Sequence, residues 1–117
     1  LVSLNKQLTT PSSADNADSS NGQEDHVSMG ANAALKLWQV IEQAEQVLAI
    51  EALCAAQASD LGHLAGLGKM SPKLQKLQDV FRAELPFLEE DAYMSPFIES
   101  AHDFIALNSP VELSLCH

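Results

Sequence analysis

The longest helical pattern in the chain begins near Val27 and reaches about Asp60. It contains no proline, and its only glycine, Gly30, lies near its start. Along its first half, polar side chains recur at helical spacing opposite a row of large apolar ones. The polar row is Lys36, Gln39, Gln43 and Gln46, with Glu42 and Glu45 alongside, and the apolar row is Leu35, Leu37, Trp38, Val40 and Ile41. The pattern predicts one helix about 50 Å long at 1.5 Å per residue, with Trp38 as a core residue.

The second half of this predicted helix is almost wholly apolar. From Val47 to Ala58 only Glu51 and Gln57 are polar, and a helix that is apolar on every side has to be buried on every side. Cys54, within this run, is expected to pack as a small apolar side chain. A compact domain of this length has a radius of gyration of only about 13–14 Å, which is too small to enclose such a helix. We therefore expect other polypeptide, either further chains or a further part of its own, to complete the core.

Two shorter helices are predicted after a loop that contains Gly62, Gly66 and Gly68. Ser71-Pro72 is typical of an N-cap followed by the first helical residue, and Ser95-Pro96 repeats this signal. Pro86 follows the end of one helix, and Asn108 begins the stop signal of the other. The expected inward faces are Leu74, Leu77, Val80 and Phe81 in the first helix, and Phe97, Ile98, Ala101, Phe104 and Ile105 in the second. Without any alternating strand pattern, the predicted fold class is all-α, with a long central helix and shorter ones.

The N-terminal part of the chain differs in composition from the rest. Residues 11–23 are dense in Ser, Asn, Asp, Pro and Gly, which is typical of an irregular loop. We therefore predict an irregular segment over residues 1–26, followed by a single incomplete helical domain over residues 27–117.

The acidic balance of the chain excludes several classes of partner. A formal net charge of −10 leaves no basic stripe for nucleic acid and disfavours an anionic membrane surface. No apolar run approaches the roughly 18 residues of a membrane span, and a signal-peptide pattern is absent. Cys54 and Cys116 fit no zinc or redox spacing. We expect a cytoplasmic protein with both thiols unpaired.

Glu24-Asp25-His26, just before the long helix, is the one candidate site in the sequence. One interpretation is N-terminal capping, since acidic groups favour the positive end of a helix dipole. The other is that Glu24 is a site carboxylate, able to accept a proton or to hold a cationic ring. No metal site is expected, because His63 and His102 lie in unrelated, solvated contexts. The acids of Pro86–Asp91 are interpreted as a solvated turn.

The segment SSNGQEDHVSMGANAA, residues 19–34, resembles a signature of the histidine branch of the aromatic amino-acid lyase family. The similarity continues through 40–42, 45–51, 55–58, 67–69 and 86–91, and it is weaker at 1–3, 5–6 and 11–15. It covers nearly the whole chain except the last ten residues. The Glu-Asp-His-Val-Ser-Met block is specific, whereas the alanine-rich helix alone would not be.

This resemblance implies the C-terminal part of an enzyme that deaminates L-histidine non-oxidatively to trans-urocanate and ammonia. It implies a larger helical-bundle fold and a homotetramer whose active sites combine several subunits, with the segment 1–26 carrying part of one site. Glu24 is the residue that carries over as a catalytic and substrate-binding group, and its neighbour Gln23 is expected to contact substrate. The family's electrophile, a methylidene-imidazolone, forms from an Ala-Ser-Gly tripeptide that this chain lacks, so the chain alone is expected to be inactive.

Two alternatives remain open at the level of sequence. The phenylalanine branch has a Gln where Glu24 stands, so Glu24 favours histidine, but a tyrosine or phenylalanine lyase or an aminomutase is still possible. A non-catalytic helical remnant that kept only the packing is the other alternative. Three departures from the family pattern bear on it: Leu4 replaces a usual Glu, Ala92 a usual Arg, and Phe97 a usual Asp.

Overall fold

The computed structural model describes residues 1–14, 21, 23 and 27–108. Within these residues the chain forms four helices and no strand: α1 (Val2–Leu8), α2 (Gly30–Leu64), α3 (Pro72–Glu84) and α4 (Ser95–Leu107). The prediction of an all-α fold with one long helix and shorter ones is confirmed.

Helix α1 corrects the expectation of an irregular segment over residues 1–26. It begins with the hydrogen bond from Asn5 N to Leu1 O at 2.9 Å and ends where Thr9 N donates to Lys6 O at 3.4 Å. Residues 2–8 contain neither Gly nor Pro, so nothing local prevents a helix. The irregular composition that motivated the prediction starts only at Pro11. The domain boundary at 26/27 stays a prediction.

Helix α2 begins three residues later and ends four residues later than expected, so Gly62 lies inside the helix rather than in the loop. The helix ends at Leu64 and is closed by Gly66, whose φ of 73° is in the left-handed region. Gly66 N donates to His63 O at 3.0 Å, and Leu67 N donates to Gly62 O at 2.9 Å. This pair of bonds is the Schellman motif, in which a glycine closes the last turn. The stop signal is therefore Gly66 alone.

The two shorter helices begin and end close to the predicted positions. Ser71 is the N-cap of α3, and its hydroxyl accepts from Leu74 N at 3.4 Å. In α4 the prediction was wrong by one residue, because Met94 is the N-cap and has no capping side chain. Ser95 is instead helical and donates to Glu99 Oε1 at 3.2 Å. Asn108 ends α4 as expected, and its backbone N–H donates to Phe104 O.

The described chain divides into two units, residues 1–44 and 45–117. No described residue of the first unit is buried. The second unit holds the core, where Phe81 and Phe104 meet edge to face with their ring centroids 5.1 Å apart. The other core residues are Ala49, Leu53, Ala56, Leu85 and Ala101.

The face that α3 turns inward differs from the predicted one. Of the four expected residues only Phe81 is buried, while Leu74, Leu77 and Val80 are 55%, 40% and 36% exposed. Gln78 is buried instead, at 8%, because its amide finds partners on α2 that are described below. The expected face of α4 is confirmed, with Ala101 and Phe104 buried and Phe97, Ile98 and Ile105 packed against the core.

Candidate functional site

The candidate site segment is described only at its edges. Glu24, Asp25 and His26 lie outside the described residues, so the predicted roles of Glu24 stay predictions. Gln23 lies in a turn and is exposed. Asn21 has a φ of 55°, a left-handed conformation that Asn adopts more readily than most residues.

The start of α2 bears on the capping interpretation of Glu24 and Asp25. Helix α2 begins at Gly30, its first turn contains no acidic residue, and Ala33 N donates to Met29 O at 2.9 Å. The effect of a helix dipole falls off within the first turn. Because Glu24 and Asp25 lie outside the described residues, the capping interpretation stays a prediction.

Among the described residues of the first unit, a hydrogen bond joins the segment after α1 to α2. Lys36 Nζ donates to Thr10 O at 2.7 Å. The bond ties Thr10, which precedes the segment with the candidate site, to the second turn of α2. Three side-chain oxygens among the described residues of this unit, Asn5 Oδ1, Ser12 Oγ and Gln43 Oε1, are shielded from solvent without a hydrogen-bond partner.

The first half of α2 exposes the apolar row that was expected to face a core. Leu35, Leu37 and Trp38 are 67%, 60% and 66% exposed. Trp38 is therefore not a core residue of this chain, and its indole Nε1 donates to Glu42 Oε1 at 2.7 Å. These three side chains form apolar surface that nothing in the described residues covers.

Sequence reasoning missed a polar network in the second unit. Arg82 Nε donates to Asp60 Oδ2 at 2.7 Å, with the two side chains 15% and 30% exposed. Gln78 Nε2 donates to Asp60 Oδ1 and to Ala56 O, both at 3.0 Å. Because Gln78 and Arg82 are one helical turn apart on α3, both reach the same carboxylate on α2.

The same arginine holds the chain that follows α3. Arg82 Nη1 donates to Leu85 O and Pro86 O at 3.1 Å each, and its guanidinium carbon lies 5.9 Å from the ring centroid of Phe87. Gln57 completes the arrangement by donating to Leu88 O at 2.6 Å and accepting from Leu88 N at 3.3 Å. The acids that follow, Glu89–Asp91, are exposed, as predicted for a solvated turn.

Two of the titratable residues differ from their expected surroundings. His102 is half-buried rather than solvated, with Nε2 3.4 Å from Glu45 Oε2 and Nδ1 3.9 Å from Asp103 Oδ1. Cys54 is free but exposed, because the apolar run around it is covered on one side only. Across the described part of the chain, no three His, Cys, Asp or Glu side chains come together in a way that could hold a metal ion.

An apolar groove lies among α2, α3 and α4 in the second unit, with a volume of about 410 Å³. It contains the apolar side chains of α3 that the core leaves outside, together with small side chains of α2. Its lining includes Leu48, Ala52, Ala55, Leu74, Leu77 and Ile105.

None of the helices in the described part of the chain combines the length and the apolar character that a membrane span requires.

Comparison with known proteins identifies the family. The aromatic amino acid lyase family matches residues 1–83. Histidine ammonia-lyases of Staphylococcus aureus strains USA300 and MRSA252 are 42% identical to the chain over all 117 residues, and that of strain JH9 is 41% identical. In each case the match covers 100% of this chain and 22% of the relative, so the chain spans about a fifth of the length of these relatives. The chain belongs to the aromatic amino acid lyase family.

Proposed function

We propose that this chain is part of an enzyme that removes ammonia from L-histidine without oxidation and releases trans-urocanate. The observation that carries the proposal is the 42% identity to histidine ammonia-lyases over the whole chain. The match includes the candidate site segment, because the family match runs from residue 1 to residue 83.

Glu24 is proposed to act as the catalytic and substrate-binding group, with Gln23 as a second substrate contact. A carboxylate accepts a hydrogen bond from an imidazole N–H and stabilises an imidazolium better than an amide would. Next to a purely apolar ring the same carboxylate would lose water without gaining a partner. Glu24 therefore favours histidine over phenylalanine or tyrosine. In addition, a carboxylate close to the substrate is suited to general acid–base catalysis.

The electrophile of the family does not come from this chain. The sequence contains no Ala-Ser-Gly tripeptide, so the residues present do not fit the formation of a methylidene-imidazolone, and this group would have to be supplied by polypeptide outside the chain. We therefore expect no urocanate from the 117 residues alone. In this proposal the chain contributes Glu24, and the segment around it, to one side of the active site.

Assembly into a homotetramer is the further part of the proposal. The exposed apolar row of α2, with Leu35, Leu37 and Trp38 each at least 60% exposed, supports it, because exposed apolar patches of this kind mark interaction surfaces. A cytoplasmic location is proposed as well, and the free thiol of Cys54 suits a reducing compartment.

A chimeric enzyme tests the proposed function. In it, the 117 aligned residues of Staphylococcus aureus histidine ammonia-lyase are replaced by this chain. We expect urocanate from L-histidine and little product from L-phenylalanine or L-tyrosine. The variant Glu24→Gln should lower kcat/KM for histidine about 10²- to 10⁴-fold, the range of general acid–base contributions. Asp25→Asn is the matched control, because it removes a neighbouring carboxylate and should keep most of the activity.

The outcomes of this experiment separate the alternatives. Preference for phenylalanine or tyrosine would assign the chain to another branch of the family. A folded tetrameric chimera without any turnover would favour a remnant that kept only the packing. An unchanged kcat/KM in Glu24→Gln would remove Glu24 from the site.

A further inference from the structure

We draw no further inference here: the strongest candidate, the apolar groove among α2, α3 and α4 in the second unit, is an unpartnered apolar face, and nothing in the described part of the chain shows what covers it.

Discussion

Helix α2 offers a comparison within one element, because both of its halves carry large or numerous apolar side chains but only the second half is covered. In residues 30–44 no side chain is buried, and Trp38 is 66% exposed. In residues 45–64, Ala49, Leu53 and Ala56 are buried at 0%, 7% and 5%. The difference comes from α3 and α4, which bring Phe81 and Phe104 onto the second half. An apolar helix face indicates that another segment must pack against it. The face itself does not show whether that segment belongs to the same chain or to other polypeptide.

The largest expected effect comes from replacing Phe81, which packs on the covered half of α2, and it is compared with replacing Trp38 on the uncovered half. Phe81→Ala removes a ring that is 5% exposed and in contact with Phe104, and should lower the free energy of unfolding by about 3–5 kcal/mol. Trp38→Ala removes an even larger side chain but should change the free energy of unfolding by no more than about 0.5 kcal/mol, as at other surface positions. Urea unfolding of the isolated chain at low concentration measures both.

An unexpected result for Trp38 would be informative. If Trp38→Ala lowered the free energy of unfolding as much as Phe81→Ala does, the first half of α2 would be covered in solution. Repeating the measurement over a range of protein concentrations would then show whether a second copy provides the cover.

The next largest effect concerns the arginine that ties the second half of α2 to the chain after α3. Arg82→Met removes the ion pair with Asp60 and two bonds to backbone carbonyls, and should lower the free energy of unfolding by about 1.5–3 kcal/mol. Amide exchange of Leu88 should become faster, since the turn loses its anchor. Lys73→Met on the same helix, at an exposed position, is the control. Unchanged exchange at Leu88 would show that Gln57 alone holds the turn.

A pair of glycine substitutions tests how the covered half of α2 ends. Gly66→Ala places a side chain at a φ of 73° and should destabilise the chain by about 1–2 kcal/mol. Gly62→Ala should stabilise it by about 0.5–1 kcal/mol, because the residue is helical and a Cβ there meets no atom within 4 Å. Thermal unfolding gives both values, and shifts of the same sign would contradict the assignment of Gly66 as the single stop.

The smallest effect is expected in the first unit. Lys36→Met removes the bond to Thr10 O and should lower the free energy of unfolding by only about 0.5 kcal/mol. The clearer measurement is hydrogen exchange, which should become faster in α1 because its connection to α2 is lost. Protection of α1 that is the same in wild type and variant would show that the bond does not anchor this segment.

Local signals in the sequence were sufficient to predict the ends of the two shorter helices, α3 and α4, to within about one residue. Ser71-Pro72 and Asn108 act through their own backbone neighbours, so their positions could be predicted. Helix α1 was missed because the polar composition of residues 11–23 was extended to the residues before Pro11. The stop at Gly66 rather than Gly62 depends on which glycine adopts a positive φ, and sequence alone does not decide this.

The inward face of α3 and the candidate site could be predicted less well. Helical periodicity favoured Leu74 and Leu77, but the surroundings on α2 present the Ala56 carbonyl and Asp60, which select Gln78. The spacing of Gln57 and Asp60, and of Gln78 and Arg82, is the signal from which the network could have been suspected. Glu24 was found by family resemblance, since physical reasoning alone left it between a helix cap and a site carboxylate.

The exposed indole of Trp38 gives this chain an optical signal for its own assembly. The sequence contains a single tryptophan, so all tryptophan fluorescence comes from one point on the uncovered half of α2. An indole in contact with water emits at longer wavelength than one in an apolar contact. Mixing the chain with a lyase subunit whose own tryptophans have been replaced, and following the emission maximum, would therefore report when that surface becomes covered.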